Sequence, residues 1–289
     1  MVWLNAIVQG ILLGGLYALF ATGLSLAFGV MRFVNLAHGD LAIAAAFMSF
    51  SLQRTFDMNP LVSLLIVLPG AFVVGYLLQR VVFDRVVGVD PAFQIVATFG
   101  LSMVVQNLIY EKYTADTQGL DAKSLDASGF ALNDTISIGW IPLITLVGAV
   151  VVLSGLALFM KRTRTGRAFR ATSDDADAAR LMGIDVRRIW AVAMALAVAT
   201  VALAGVLFGI KSSFDPFVGP ARLIYGFEAV IIGGLGSLWG TLVGGIILGV
   251  AQGLGRQMNP QWGELAGHAV FLAVLVVRPT GLFGKGQLR

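Results

Sequence analysis

Residues 223–255 read LIYGFEAVIIGGLGSLWGTLVGGIILGVAQGLG, 33 residues with a single charge, Glu228. A run this apolar has lipid as its natural solvent. As one helix it would extend about 50 Å, well beyond a hydrocarbon core of roughly 30 Å. A break is therefore expected at Gly233-Gly234-Leu235-Gly236, dividing the run into two shorter segments. The break begins like a dinucleotide-binding loop but lacks the third glycine and any βαβ context, so it holds no nucleotide. Its glycines read as packing surface instead. Gly236, Gly240 and Gly244 recur every four residues, as do Gly245, Gly249 and Gly253, with Gly10/Gly14 and Gly205/Gly209 as shorter cases. Side chains of hydrogen alone let helix backbones approach closely inside a membrane.

The rest of the chain repeats this pattern. Charge-free windows cover 1–31, 58–79, 91–110, 135–160 and 189–210, while 33–53 and 257–277 carry only one or two polar interruptions. Together with 223–255 these make eight candidate spans, all continuous runs without the alternation of a lipid-facing barrel strand. Of the 289 residues 57% are hydrophobic and 12% charged, against about 25% charged in soluble proteins, which excludes a soluble globular domain. The expected class is an all-α polytopic membrane protein of about eight transmembrane helices, one or more of them broken or re-entrant. It forms one domain over 1–289. There is no cysteine, hence no disulfide, thiolate metal site or Cys nucleophile. Phosphate-binding, zinc-protease and serine-hydrolase motifs are missing, so no metal site and no enzyme are expected.

Charge sets the expected orientation. No Lys or Arg precedes Arg32, so the start lacks the basic region of a cleaved signal peptide. The 161–188 loop holds eight basic residues and four Asp, whereas 111–134 holds five acids and two lysines. The bias of positive loops towards the cytoplasm puts 161–188 inside, 111–134 outside and the N-terminus outside. With the glycine break making two crossings, the tail containing Arg278, Lys285 and Arg289 also returns to the cytoplasm. The +4 net charge is this orientation signature, not a nucleic-acid footprint.

Ionisable and polar groups at membrane depth mark a pathway or a partner. Asn35-Leu36-Ala37-His38-Gly39-Asp40 is followed by only 13 uncharged residues, too few to span. It either dips into the membrane as an irregular segment or lies at the cytoplasmic interface as a helix start capped by Asp40. Gln94, Thr98, Gln106, Asn107 and Glu228 either line a polar route or bond between helices. His268 reads as a satisfied packing histidine rather than a proton relay.

The cytoplasmic loop carries the most specific local signal. From Ser173 through Asp174, Asp175, Asp177, Ala178, Ala179, Arg180, Leu181 and Met182 to Gly183 it spells a short helix. Thr172 or Ser173 is the expected cap, the three Asp favour the first turn, and Gly183 supplies a left-handed stop. Ala178, Leu181 and Met182 share one side. So short a helix needs something to dock on, either the underside of its own membrane domain or a groove in a soluble partner.

Four separated stretches carry a resemblance: Gly23 to Asp40, Gly166 to Ala171 with Ala178 to Ile184, Gly233 to Ser237, and Val277 to Gly284. Together they resemble the branched-chain amino acid permease family of bacterial ABC importers, nearest the LivH-type subunit. The resemblance implies an ABC importer permease fold in the bacterial inner membrane. It also implies a LivM-type second permease, two ATPase subunits that bind ATP and Mg, and a periplasmic substrate-binding protein. Residues 173–183 would be the coupling helix, and no cofactor would belong to this chain. Related permeases import urea, short-chain amides or small carboxylates, so cargo does not follow from the resemblance. An ion-coupled secondary transporter is the distant alternative; it would need paired carboxylates at mid-membrane or broken helices in matching halves.

Overall fold

The computed structural model describes residues 2–88, 90–123, 125, 128–133 and 136–284. Eleven α-helices, a 3-10 turn at Phe83–Arg85 and one hairpin are formed within them: α1 (Val2–Met31), α2 (His38–Phe56), α3 (Pro60–Val81), α4 (Pro91–Tyr113), β1 (Gly129–Asn133), β2 (Ile136–Gly139), α5 (Trp140–Arg162), α6 (Arg164–Asp174), α7 (Ala176–Leu181), α8 (Val186–Lys211), α9 (Gly219–Gly233), α10 (Leu238–Met258) and α11 (Trp262–Val277). Six of these, α1, α3, α4, α5, α8 and α10, are long and apolar enough to cross a membrane. The expected eight spans thus become six long helices, with α2, α9 and α11 shorter or more polar. The window from 135 is corrected at its start. Ile136–Gly139 pairs with β1 in an antiparallel hairpin and the helix begins at Trp140.

The break within 223–255 lies where the glycines put it. α9 ends at Gly233, Gly234 and Gly236 take positive φ of 101° and 80°, and Ser237 caps α10 by accepting from the Gly240 N–H. The C-terminal segment then seals the gap: the N–H groups of Leu282 and Phe283 donate to the carbonyls of Ile232 and Gly233. Two of the stretches behind the resemblance are therefore one structure.

α1 and α8 form the centre. Within their most apolar windows 83% and 78% of residues are buried, against 22% in α3, α4 and α5, which leaves those three to face lipid or another subunit. The glycine ladders pack within the chain. Gly10 and Gly14 of α1 meet Gly249 and Gly245 of α10, Gly244 and Gly240 meet α9, and Gly205 lies on the Ala42 carbonyl; a Cβ at any of them would overlap backbone.

The packing also contains a repeat. α1 lies on α10 as α8 lies on α3, and these are the two most extensive helix pairings. α1 and α8 run antiparallel, Phe20 reaching Phe208 while Gly23 faces Ala197. Each is followed by a short irregular segment and a shorter helix, and these two shorter helices meet at their N-termini. The two units, α1–α3 and α8–α10, therefore have inverted topology, an arrangement recurrent in transporters. A trace survives in sequence: Phe28-Gly29-Val30 precedes Gly39 by the same spacing as Phe208-Gly209-Ile210 precedes Gly219.

Candidate functional site

The first site feature is where the two short helices meet. After Met31 the chain turns through Arg32 at φ 50° and runs without regular structure to His38. Asn35 organises this climb, its side-chain oxygen accepting from the Ala37 N–H at 3.0 Å and its carbonyl from the His38 N–H at 3.2 Å. His38 Nε2 lies 3.2 Å from the Phe20 carbonyl, beside the middle of α1. The Asn35–Asp40 stretch thus sits at mid-depth in the helix bundle and not at its rim. Gly39 and Gly219 bring the N-termini of α2 and α9 into backbone contact there, and neither position has room for a Cβ.

Asp40 does not cap α2, contrary to one expectation. The N-cap is Ala37, without a side-chain bond, and the buried Asp40 carboxylate accepts instead from Ser102 Oγ at 2.5 Å and Gln106 Nε2 at 2.9 Å on α4. Gln106 is thus a partner between helices. Thr98 and Asn107 bond within α4, to the carbonyls of Gln94 and Met103. Gln94 is half-buried in the second turn of α4.

The second feature is a polar network joining α9 to α1, α10 and α11. His268 packs between helices with its ring nitrogen partnered: its Nδ1 is 2.5 Å from Glu228 Oε1 and its ring stacks on Tyr225. Tyr225 donates to Glu264 Oε1 at 2.8 Å and stacks on Tyr17, which donates to Gln252 at 2.6 Å. A cavity of about 140 Å3 opens against Tyr17 and Tyr225 and is edged by Lys211, Arg222 and Arg256. The cavity residues escaped sequence reading because they come from four helices far apart in the chain. The available signal was Arg222, Tyr225 and Glu228, three apart and so on one helical side.

The third feature is the cytoplasmic-loop helix, with its start corrected. Thr172, Ser173 and Asp174 belong to α6; the cap is Asp175, whose Oδ1 accepts from the N–H groups of Asp177 at 2.9 Å and Ala178 at 3.0 Å. Two acids therefore serve α7 where three were expected. Asp177 pairs with Arg180 at 2.7 Å, and Gly183 takes the left-handed conformation at φ 82°. Ala179 is buried, whereas Leu181 and Met182 are 89% and 83% exposed. Ser173 ties the base of this knob to α1 by donating to the Gly29 carbonyl. Beside it a cavity of about 530 Å3 is edged by Arg32, Arg170, Asp174 and Gly236. Among the described residues no three His, Asp or Glu side chains cluster as metal ligands.

Residues 6–277 match the family model for the permease component of branched-chain amino acid transport systems. The chain belongs to that family. The permease is 28% identical to BraD, a high-affinity branched-chain amino acid transport permease protein of Pseudomonas aeruginosa, over 99% of this chain and 97% of BraD. It is 27% identical, with the same coverage, to the LivH protein of Escherichia coli K12. Among solved structures, the PsaBC complex of Streptococcus pneumoniae with Fab superposes with a TM-score of 0.50 at 17% identity. That match covers 97% of the permease and 93% of the other chain, a likeness of fold. The permease is thus a multi-pass transport protein.

Proposed function

We propose that this permease is the membrane subunit of an ATP-binding-cassette importer in a bacterial inner membrane, moving branched-chain amino acids or a related small solute inward. It pairs with a LivM-type permease, receives cargo from a periplasmic binding protein and is driven by two ATPase subunits, which bind the ATP and Mg. The N-terminus and the 111–134 loop lie outside; the 161–188 loop and the tail lie in the cytoplasm, as the loop charges favour.

One observation carries this reading. The knob α7 is held firmly at its base yet presents Leu181 and Met182 to solvent, so the underside of its own domain leaves their apolar surface uncovered. Apolar side chains at the tip of a capped helix suit the groove of a soluble partner. Closure of the ATPases would push this knob, and α6 would pass the motion to the inner end of α1 through Ser173 and Gly29. The half-helix junction at Gly39 and Gly219 is the natural place for the pathway to open.

Leu181→Asp is expected to leave the two permeases assembled while abolishing substrate-stimulated ATP hydrolysis in reconstituted vesicles. Hydrolysis at the wild-type rate in that variant would remove α7 from the coupling role.

A further inference from the structure

The cavity against Tyr17 and Tyr225 lies where α9 leaves space. α9 starts at mid-depth, and the cavity opens beside its first turns. Arg222 and Tyr225 form a floor there, and the walls come from α1, the end of α8 with Lys211 and the end of α10 with Arg256. Its lining holds three cations and no carboxylate. None of the three makes an ion pair among the described residues. Arg256 donates to Gln252 at 3.3 Å, and the Arg222 guanidinium rests 4.6 Å from the centre of the Phe208 ring with its Nε buried and unpartnered. The two nearby acids lie outside the lining and form no ion pair with these cations: Glu264 accepts from Tyr225 and Glu228 faces His268. Arg222 is half-buried, while Lys211 and Arg256 are exposed at the ends of their helices, so the three positive charges gather at the mouth of the cavity and attract an anion there.

From this arrangement we infer that the cavity is a carboxylate-reading station on the cargo route: Lys211, Arg222 and Arg256 receive the carboxylate of a small solute while Tyr17 and Tyr225 pack its apolar part. A planar guanidinium takes a carboxylate through paired hydrogen bonds, giving selection by shape as well as charge. The volume of about 140 Å3 is close to one that admits benzene, room for the carboxylate end of a small solute whose remainder extends through the open mouth. The inference rests on the importer reading above and narrows it. The gate itself discriminates acids from urea and amides, in addition to whatever the delivery protein selects.

The test uses the complete importer in phosphatidylcholine nanodiscs without the delivery protein. Equilibrium binding of radiolabelled L-leucine is displaced by isovalerate or by isovaleramide, its neutral isostere. Isovalerate is expected to displace at least tenfold more effectively, and Arg222→Gln with Arg256→Gln to erase that preference while the subunits still co-purify; Arg222→Lys should keep part of it. Equal displacement by acid and amide, a preference that survives the double variant, or no saturable leucine binding would overturn the inference. So would displacement of leucine by phosphatidylglycerol added to the discs, which would assign the cations to a lipid phosphate. The importer reading fails separately, if leucine uptake into vesicles made with the same complex and its delivery protein proceeds without ATP.

Discussion

Asp40 shows how one side chain determines local architecture. Its carboxylate is the acceptor for two α4 donors in a buried setting, so removing it leaves the Ser102 hydroxyl without its acceptor, at about 1–3 kcal/mol, and Gln106 with only its bond to Ser102. Asp40→Ala is therefore expected to lower the thermal unfolding midpoint of the detergent-solubilised permease by several degrees. Asp40→Asn should lower it less, because an amide oxygen still accepts. Equal midpoints for Asp40→Ala and the wild type would show that the α2–α4 bond contributes little. Glu228 plays the same part for the other half-helix, through His268 on α11. The residue types were legible in the sequence but their partners were not. Gln106 is 66 positions from Asp40 and His268 is 40 from Glu228, and spacing along a chain says nothing about which face of a distant helix will arrive opposite.

At the scale of elements, α7 is set by local chemistry. Its six residues are too few to hold as a helix in water, so the Asp175 cap, the Asp177–Arg180 pair and the Gly183 stop matter more than in a long helix. Replacing Asp175 by Ala should cost about 1 kcal/mol of local stability. The expected readout is faster hydrogen exchange at residues 178–182, with substrate-stimulated hydrolysis reduced but not abolished, in contrast to Leu181→Asp. Unchanged exchange would mean that packing of Ala179 alone holds the turn. The existence of this helix and its glycine stop were readable from sequence. Its start was misplaced by three residues because Thr172 and Ser173 are good caps in isolation. The Thr163 cap begins α6 upstream, and that helix continues through both before Asp175 starts the next.

At the scale of the whole molecule, sidedness follows from loop charge and is directly testable, because the chain has no cysteine of its own. A single Cys at Gln118 should react with a membrane-impermeant maleimide in intact spheroplasts, whereas one at Asp175 or added after Arg289 should react only after permeabilisation. The opposite pattern would invert the topology. What the sequence determined by itself was the solvent, the helical class, the glycine break and the knob. Each of these depends on composition or on spacing within a few turns. The tertiary structure alone decided that α2 and α9 are half-helices meeting at mid-depth, that the two units are inverted, that the C-terminal segment closes the glycine break, and that three distant cations converge on one cavity. Those facts depend on which helix faces pack together. In lipid that choice turns on close backbone fit and a few buried polar bonds, neither of which leaves a strong periodic signal in a chain this uniformly apolar.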